Sequence, residues 1–209
     1  TFGDPIYGSV EVSMPDIAAI EDHKESICGL LLTHAHEDHV GAVHHLWPYL
    51  RCPVYATAFT AEVLMRKLKD VGLEKEVDIH IISIGSEIKI GPFDIEIISM
   101  SHSIIEPSAA LISTSAGSVF HTGDWKIDYN PQIGEGIDNK RLQALGKENI
   151  LAMVCDSTNV LVNGTSGSEE DVIEPLTKII KECTGRVFIS TFASNVTRLN
   201  TLAKIGFSL

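Results

Sequence analysis

The sequence predicts an α/β protein, and three observations carry that prediction. Short apolar runs alternate with segments whose apolar residues recur at helical spacing, as at Val63, Leu64, Leu68 and Val71. Three strand-like segments between residues 78 and 100 are divided by Gly85-Ser86 and Gly91-Pro92. One apolar run, Leu30-Leu31-Leu32, ends abruptly in Thr33-His34-Ala35-His36-Glu37-Asp38-His39 before Val40-Gly41, which places a polar cluster where strand gives way to helix.

In chain order, Gly3, Pro5, Gly8 and Pro15 surround the alternation Val10-Glu11-Val12, a loop and a short strand. Asp4 and Asp16 beside these breakers are read as turn formers. Residues 16–25 suit a short helix. Leu30–Leu32 is a buried strand, since a continuous apolar run suits a strand covered on both faces. A helix over Val40–Leu50 follows, with His44 and His45 beyond the turn as structural or supporting side chains. Pro53–Ala56 is a strand, and Thr57 or Thr60 caps a helix that Gly72 stops. Ile79–Ile82, Glu87–Ile90 and Phe93–Met100 are the three β segments, separated by hairpin turns; His80 is read as packing. The last of them runs into His102. Residues 109–115 and 118–122 pair about Ala116-Gly117 and lead to Gly123-Asp124, with His121 structural. Asn139–Leu145 is a helix and Ile150–Cys155 a buried strand ending at Asp156. After the linker Asn163–Gly167, Ser168 and Asp171 resemble a capping box, and Pro175 kinks the next helix or marks its start. Arg186–Thr191 is a strand, followed by the helix that carries Arg198.

Bulk properties bound the reading further. The 209 residues can bury one substantial core and part of a second domain. Sixteen basic against 28 acidic residues give a formal charge of −12, which argues against unspecific affinity for phosphate backbones. Cys28, Cys52, Cys155 and Cys183 show no paired spacing and read as free thiols in a reducing compartment. No apolar run approaches the ~18 residues of a membrane span.

The polar cluster is the richest in chemistry. In an extended segment alternate side chains share a face, so His34 and His36 suit one ion, while Asp38 and His39 at the turn suit a second. Imidazole with carboxylate favours zinc or manganese. A carboxylate at a strand end, as at Asp124, can bridge two ions, and Gly123 permits close backbone approach. A bland reading is an exposed turn that happens to hold histidines.

The order His34-x-His36-x-Asp38-His39, then Ser101-His102-Ser103, then Thr122-Gly123-Asp124 resembles the metallo-β-lactamase superfamily. Cys155-Asp156-Ser157-Thr158-Asn159 and Phe192-Ala193-Ser194-Asn195-Val196 resemble its β-CASP nucleases and, together with the earlier motifs, bacterial enzymes of the ribonuclease J family. That resemblance implies an αββα metallo-β-lactamase domain over residues 1–167, incomplete, and the beginning of an inserted α/β β-CASP domain over 168–209. It also implies an excerpt of a longer chain, with further residues before Phe2 and after Leu209. Ser103-Ile104-Ile105-Glu106-Pro107 departs from the family's usual His-Ser-Ile-Pro loop.

By the same resemblance, two divalent ions, zinc or else manganese or magnesium, are held by His34, His36, His102, Asp38, His39 and Asp124. Asp38, Asp124 and Asp156 serve catalysis, and Ser194 and Asn195 hold a substrate phosphate. The implied activity is hydrolysis of RNA phosphodiesters, as a 5′-to-3′ exonuclease, an endonuclease or both. RNA is the partner, the assembly a homodimer or homotetramer, the compartment the cytoplasm, and no membrane is involved. The excerpt alone is expected to turn over little. Two alternatives stand: a small-molecule hydrolase of thioesterase or lactonase type, which does not need the two downstream motifs, and a non-catalytic RNA-binding subunit. Asp156 also suits a turn or cap, and Ser194 and Asn195 a helix cap.

Overall fold

A computed structural model of the chain describes residues 12–209, in two compact units that divide between Ile81 and Ile82. Asp4, Val10 and Glu11 lie outside the described residues.

The first unit is built on three parallel strands, β1 (Leu30–Leu32), β2 (Val54–Ala56) and β3 (Ile79–Ile81), in that order. Leu30, Leu31 and Leu32 sit opposite Val54, Tyr55 and Ala56, which in turn face Ile79, His80 and Ile81. Ahead of them, Asp16 Oδ1 accepts the Ala18 N–H at 2.9 Å, the turn role expected of it, and opens the one-turn helix α1 (Ala18–Glu21). The helix expected over residues 16–25 stops there and resumes as a 3-10 turn at Lys24–Ser26.

The helix predicted over Val40–Leu50 is two. The first, α2 (Glu37–Val40), already contains Asp38 and His39, and α3 (Val43–Leu50) follows after Gly41-Ala42. The longest helix of this unit, α4 (Ala58–Asp70), starts after Thr57, whose Oγ1 donates to Thr60 Oγ1 at 3.1 Å. It ends before Gly72, which takes φ 74°, a conformation open to glycine at no steric cost. Its buried Ala61, Leu64 and Leu68 pack with Leu32, Val43, Trp47, Val54 and Ala56, so Leu64 and Leu68 of the expected stripe face the core, with Val63 partly buried, whereas Val71 falls just past the helix and is exposed.

Five strands make the sheet of the second unit: β4 (Glu87–Ile90), β5 (Phe93–Ser99), β6 (Ser108–Thr114), β7 (Gly117–His121) and β8 (Ile150–Val154), in sequence order. The first four are antiparallel meanders, with Gly91 at φ 57° in the β4–β5 turn. Helix α5 (Asn139–Leu145), capped by Asp138 on the Arg141 N–H, provides the crossover that lets β8 run parallel to β7. Ile98, Met100, Ala109, Leu111, Phe120 and Leu145 form its core.

Three expectations fail here, each for a physical reason. Gly85-Ser86 is not a hairpin turn, because β3 pairs in parallel with β2 while β4 pairs with β5; hydrophobic spacing marks a strand but not its sheet. The strand expected to be buried, β8, is the free edge of its sheet among the described residues. Leu151 is 60% and Met153 62% exposed, and both line an apolar cavity of about 670 Å³ with Phe120 and Leu142. Residues 186–191 belong to neither sheet, and Val187, Phe188 and Ile189 are exposed. Composition shows that a segment suits a ladder; it does not supply the neighbour that completes one.

At the end of the chain, Asp171 Oδ2 accepts the Ser168 N–H at 2.9 Å and Ser168 Oγ accepts the Glu170 N–H at 3.2 Å, the expected capping contacts around a short 3-10 turn. Pro175 falls in the first turn of α6 (Ile173–Glu182), so it marks the start of that helix rather than a kink. Helix α7 (Val196–Ser208) completes the unit.

Candidate metal centre

The potential ligands fall at strand ends in each unit. In the first, β1 feeds a short turn in which His36 is extended, φ −68° and ψ 152°, before α2 begins. The alternation of an extended chain then sets His34 and His36 side by side: His34 Nε2 lies 3.1 Å from His36 Nδ1. The His34 and His39 ring centroids are 4.1 Å apart. His34 is fully buried, and its Nδ1 meets Thr33 Oγ1 at 3.1 Å, a contact that fixes the ring so that Nε2 faces His36. Nitrogens 3.1 Å apart can both reach one ion at the ~2.0–2.1 Å of a zinc–imidazole bond, so the pair fits a metal. Asp38 Oδ2 is 3.6 Å from His39 Nε2 on α2, with Asp38 exposed and His39 half-buried.

In the second unit, His102 follows β5 and Asp124 follows β7. His102 Nε2 lies 3.7 Å from Asp124 Oδ2, and both are half-buried. Gly123 takes φ 58°, which lets the chain turn sharply at the strand end. Ser101 clamps the two tips together. Its carbonyl accepts the Lys126 N–H at 2.9 Å, and its hydroxyl donates to the Lys126 carbonyl at 2.6 Å while accepting the Asp128 N–H at 3.2 Å. After His102, Glu106 sits at φ 54°, a left-handed conformation rare for a side chain, so the loop that departs from the family pattern also has an unusual backbone.

Asp156 ends β8. Its N–H donates to Thr122 Oγ1 at 3.1 Å, and its Oδ1 accepts the Thr158 hydroxyl at 2.6 Å and the Thr158 N–H at 3.0 Å. The Thr158 hydroxyl and N–H hold the carboxyl below the usual carboxylate range. The Trp125 N–H and the nearby His102 pull the same way, against burial. Asp156 thus closes the turn on Thr158 beside the Asp124 strand end. Asn195 Oδ1 accepts the Arg198 N–H at 2.9 Å and caps α7, while Ser194 is exposed before it. The amino end of α7 rests on the His102 loop, with the Thr197 N–H donating to the Ser103 carbonyl at 3.3 Å.

Two supporting groups escaped the sequence reading. Asp128, 3% exposed, accepts from Ser168 Oγ at 2.7 Å, the Asn130 N–H at 3.0 Å and the Glu169 N–H at 3.2 Å, with Lys126 Nζ at 3.4 Å. Burial pushes its carboxyl up, but these donors outweigh it and hold the group below the ordinary range. Lys67 reaches back to Glu37, the residue between His36 and Asp38. Both pairings span 30 or more residues, so no local spacing announces them. His80, expected to pack, is instead exposed: it lies 2.9 Å from Asp78 and stacks on Tyr55, 4.8 Å between centroids.

A donor set of imidazoles and carboxylates at strand tips is that of a divalent-metal protein. A family model described as a β-lactamase superfamily domain matches residues 4–144, and the chain belongs to that superfamily. Curated relatives that it matches include ribonucleases J. The protein of that name from Sinorhizobium meliloti is 46% identical over 98% of this chain and 36% of its own length. That from Helicobacter pylori strain J99 is 37% identical over 94% and 29%, and that from Synechocystis 33% over 97% and 32%. The chain thus spans about a third of the length of the curated relatives it matches. A solved structure of a protein of unknown function from Enterococcus faecalis V583 shares the fold, with a TM-score of 0.60 at 20% identity, over 97% of this chain and 48% of that one. No helix among the described residues is long and apolar enough to cross a membrane.

Proposed function

We propose that the chain is the metal-binding part of a ribonuclease of the ribonuclease J kind, hydrolysing RNA phosphodiesters from the 5′ end, internally, or both. The observation that carries the reading is the His34–His36 nitrogen pair at 3.1 Å, backed by buried Thr33, on a chain 46% identical to a ribonuclease J. By the family resemblance, His34, His36 and His102 would hold one ion and Asp38 and His39 the second, with Asp124 contributing to both. Zinc suits the imidazole-rich half best, with manganese or magnesium as alternatives. Bound there, such ions would lower the pKa of a water and offset charge on the phosphate.

The chain's own groups do the rest. Asp38, exposed at the start of α2, is placed to orient the attacking hydroxide. Asp156 steadies the Asp124 strand end through Thr122. Ser194 and the first N–H groups of α7 receive a substrate phosphate at the positive end of the helix dipole, while Asn195 caps the same end. Residues 1–167 make up the metallo-β-lactamase part and 168–209 the start of a β-CASP domain. The protein acts in the cytoplasm as a homodimer or homotetramer.

The test is cleavage of 5′-labelled RNA by the full-length chain with zinc or manganese, before and after chelation. His34→Ala and Asp124→Asn should each lose cleavage by at least about 100-fold while keeping the fold. Undiminished cleavage by either variant, or faster hydrolysis of a lactone or thioester than of RNA, overturns the reading.

A further inference from the structure

Glu37 lies between two ligand positions yet points away from them. Its two carboxylate oxygens both meet Lys67 Nζ, at 2.8 and 2.7 Å, with Lys67 77% buried and Glu37 more than half buried. The side chain folds back along α2 over Gly41. A Cβ at position 41 would stand 2.5 Å from Glu37 Oε1 and 2.3 Å from the Glu37 carbonyl oxygen, so the absence of a side chain there is what makes room. Lys67 itself sits on α4 between Leu64 and Leu68, both fully buried, and its backbone is therefore held by the core. The pair joins the rigid helix of this unit to the single turn that presents His36, Asp38 and His39.

From this geometry we infer that Lys67 is a positioning residue for the metal centre: it holds the Glu37 carboxylate out of the ligand set and locks the His36–His39 turn to α4. A free carboxylate between His36 and Asp38 competes for the same ion, and a single helical turn held by few of its own hydrogen bonds shifts easily. The ammonium removes both hazards with one contact. The burial of Lys67 makes the loss of the contact felt, because the carboxylate is then left half out of water with no cation beside it.

The inference rests on the metal-centre reading, and the two fail differently. Titrating the full-length apoprotein with zinc alone in a calorimeter, with bound metal counted by elemental analysis, separates them. Lys67→Arg, which keeps the bidentate contact, should bind zinc like the wild type. Lys67→Met should bind about tenfold more weakly or with altered stoichiometry, in line with the loss of other outer contacts to metal ligands. Glu37→Gln, which keeps shape and removes the ion pair, serves where Lys67→Met does not fold and should weaken binding in the same direction. Wild-type zinc affinity and stoichiometry in Lys67→Met or Glu37→Gln, with only the melting temperature lowered, overturns the positioning role. A wild type that binds no zinc overturns the metal reading, and this inference with it.

Discussion

Removing the Arg198 guanidinium should cost the second unit more than any surface substitution in it. Glu169 has a side chain only 7% exposed, and both its oxygens are taken by Arg198, through Nε and through Nη2 at 3.1 Å. Its backbone N–H is spent on Asp128. Arg198→Ala therefore leaves a carboxylate with neither cation nor full hydration. Breaking a buried pair from one side costs about 3–5 kcal/mol. Since Arg198 is one-third exposed, water re-enters through the space it leaves, and the lower end, about 3 kcal/mol, is the expected value. For a domain of this size that corresponds to a melting temperature lower by roughly 6–12 °C. The double change Glu169→Gln with Arg198→Met, which removes both charges, should recover most of the loss. Urea unfolding followed by circular dichroism measures Arg198→Ala, the double variant and its singles Glu169→Gln and Arg198→Met, and amide exchange along α7 localises the effect. A loss below about 1 kcal/mol in Arg198→Ala, or a double variant worse than the sum of the singles, would refute the reasoning.

Two further outcomes follow from the same structure. Asp128 has its folded-state pKa held below the ordinary value, so its stabilisation is full above pH ~4 and is lost as pH falls through the depressed value. Asp128→Asn should flatten that acid limb in urea midpoints measured between about pH 2.5 and 5; an unchanged acid limb would contradict it. Leu64→Ala removes a fully buried side chain from the first core and should cost about 2–5 kcal/mol in urea unfolding, with a loss under about 1 kcal/mol counting against α4 as the helix that holds the metal turn.

Much of this was legible because the signals are local. The strand Leu30–Leu32 and the histidines after it declare themselves within ten residues, through an apolar run and a period of two. Gly123 before Asp124 and Asp138 before α5 are likewise one-residue devices with known geometry. What escaped is non-local. Nothing around Ile79–Ile81 says that it joins Val54–Ala56 rather than Glu87–Ile90, since an apolar alternation suits either neighbour. Ile150–Val154 and residues 186–191 are apolar enough to be interior strands, yet exposure depends on what lies beside them. Lys67, Asp128 and Glu169 look like ordinary charged surface residues until their partners, 29 to 41 positions away, are in place.

The charge distribution bears on the proposed substrate. The formal −12 opposes a phosphate backbone, but it is not spread evenly. In residues 168–209, Glu169, Glu170, Asp171, Glu174 and Glu182 are matched by Lys178, Lys181, Arg186, Arg198 and Lys204, so the surplus lies wholly in residues 1–167, the part that carries the candidate metal ligands. On the proposed reading, divalent ions held there would reverse the local field where a phosphate must approach, while the rest of that part would go on repelling it. Arg198 adds little to attraction, since its charge is committed to Glu169. On that proposal, an acidic carrier with cationic metal at its ligand tips would confine a polyanion to the place where it can be cut.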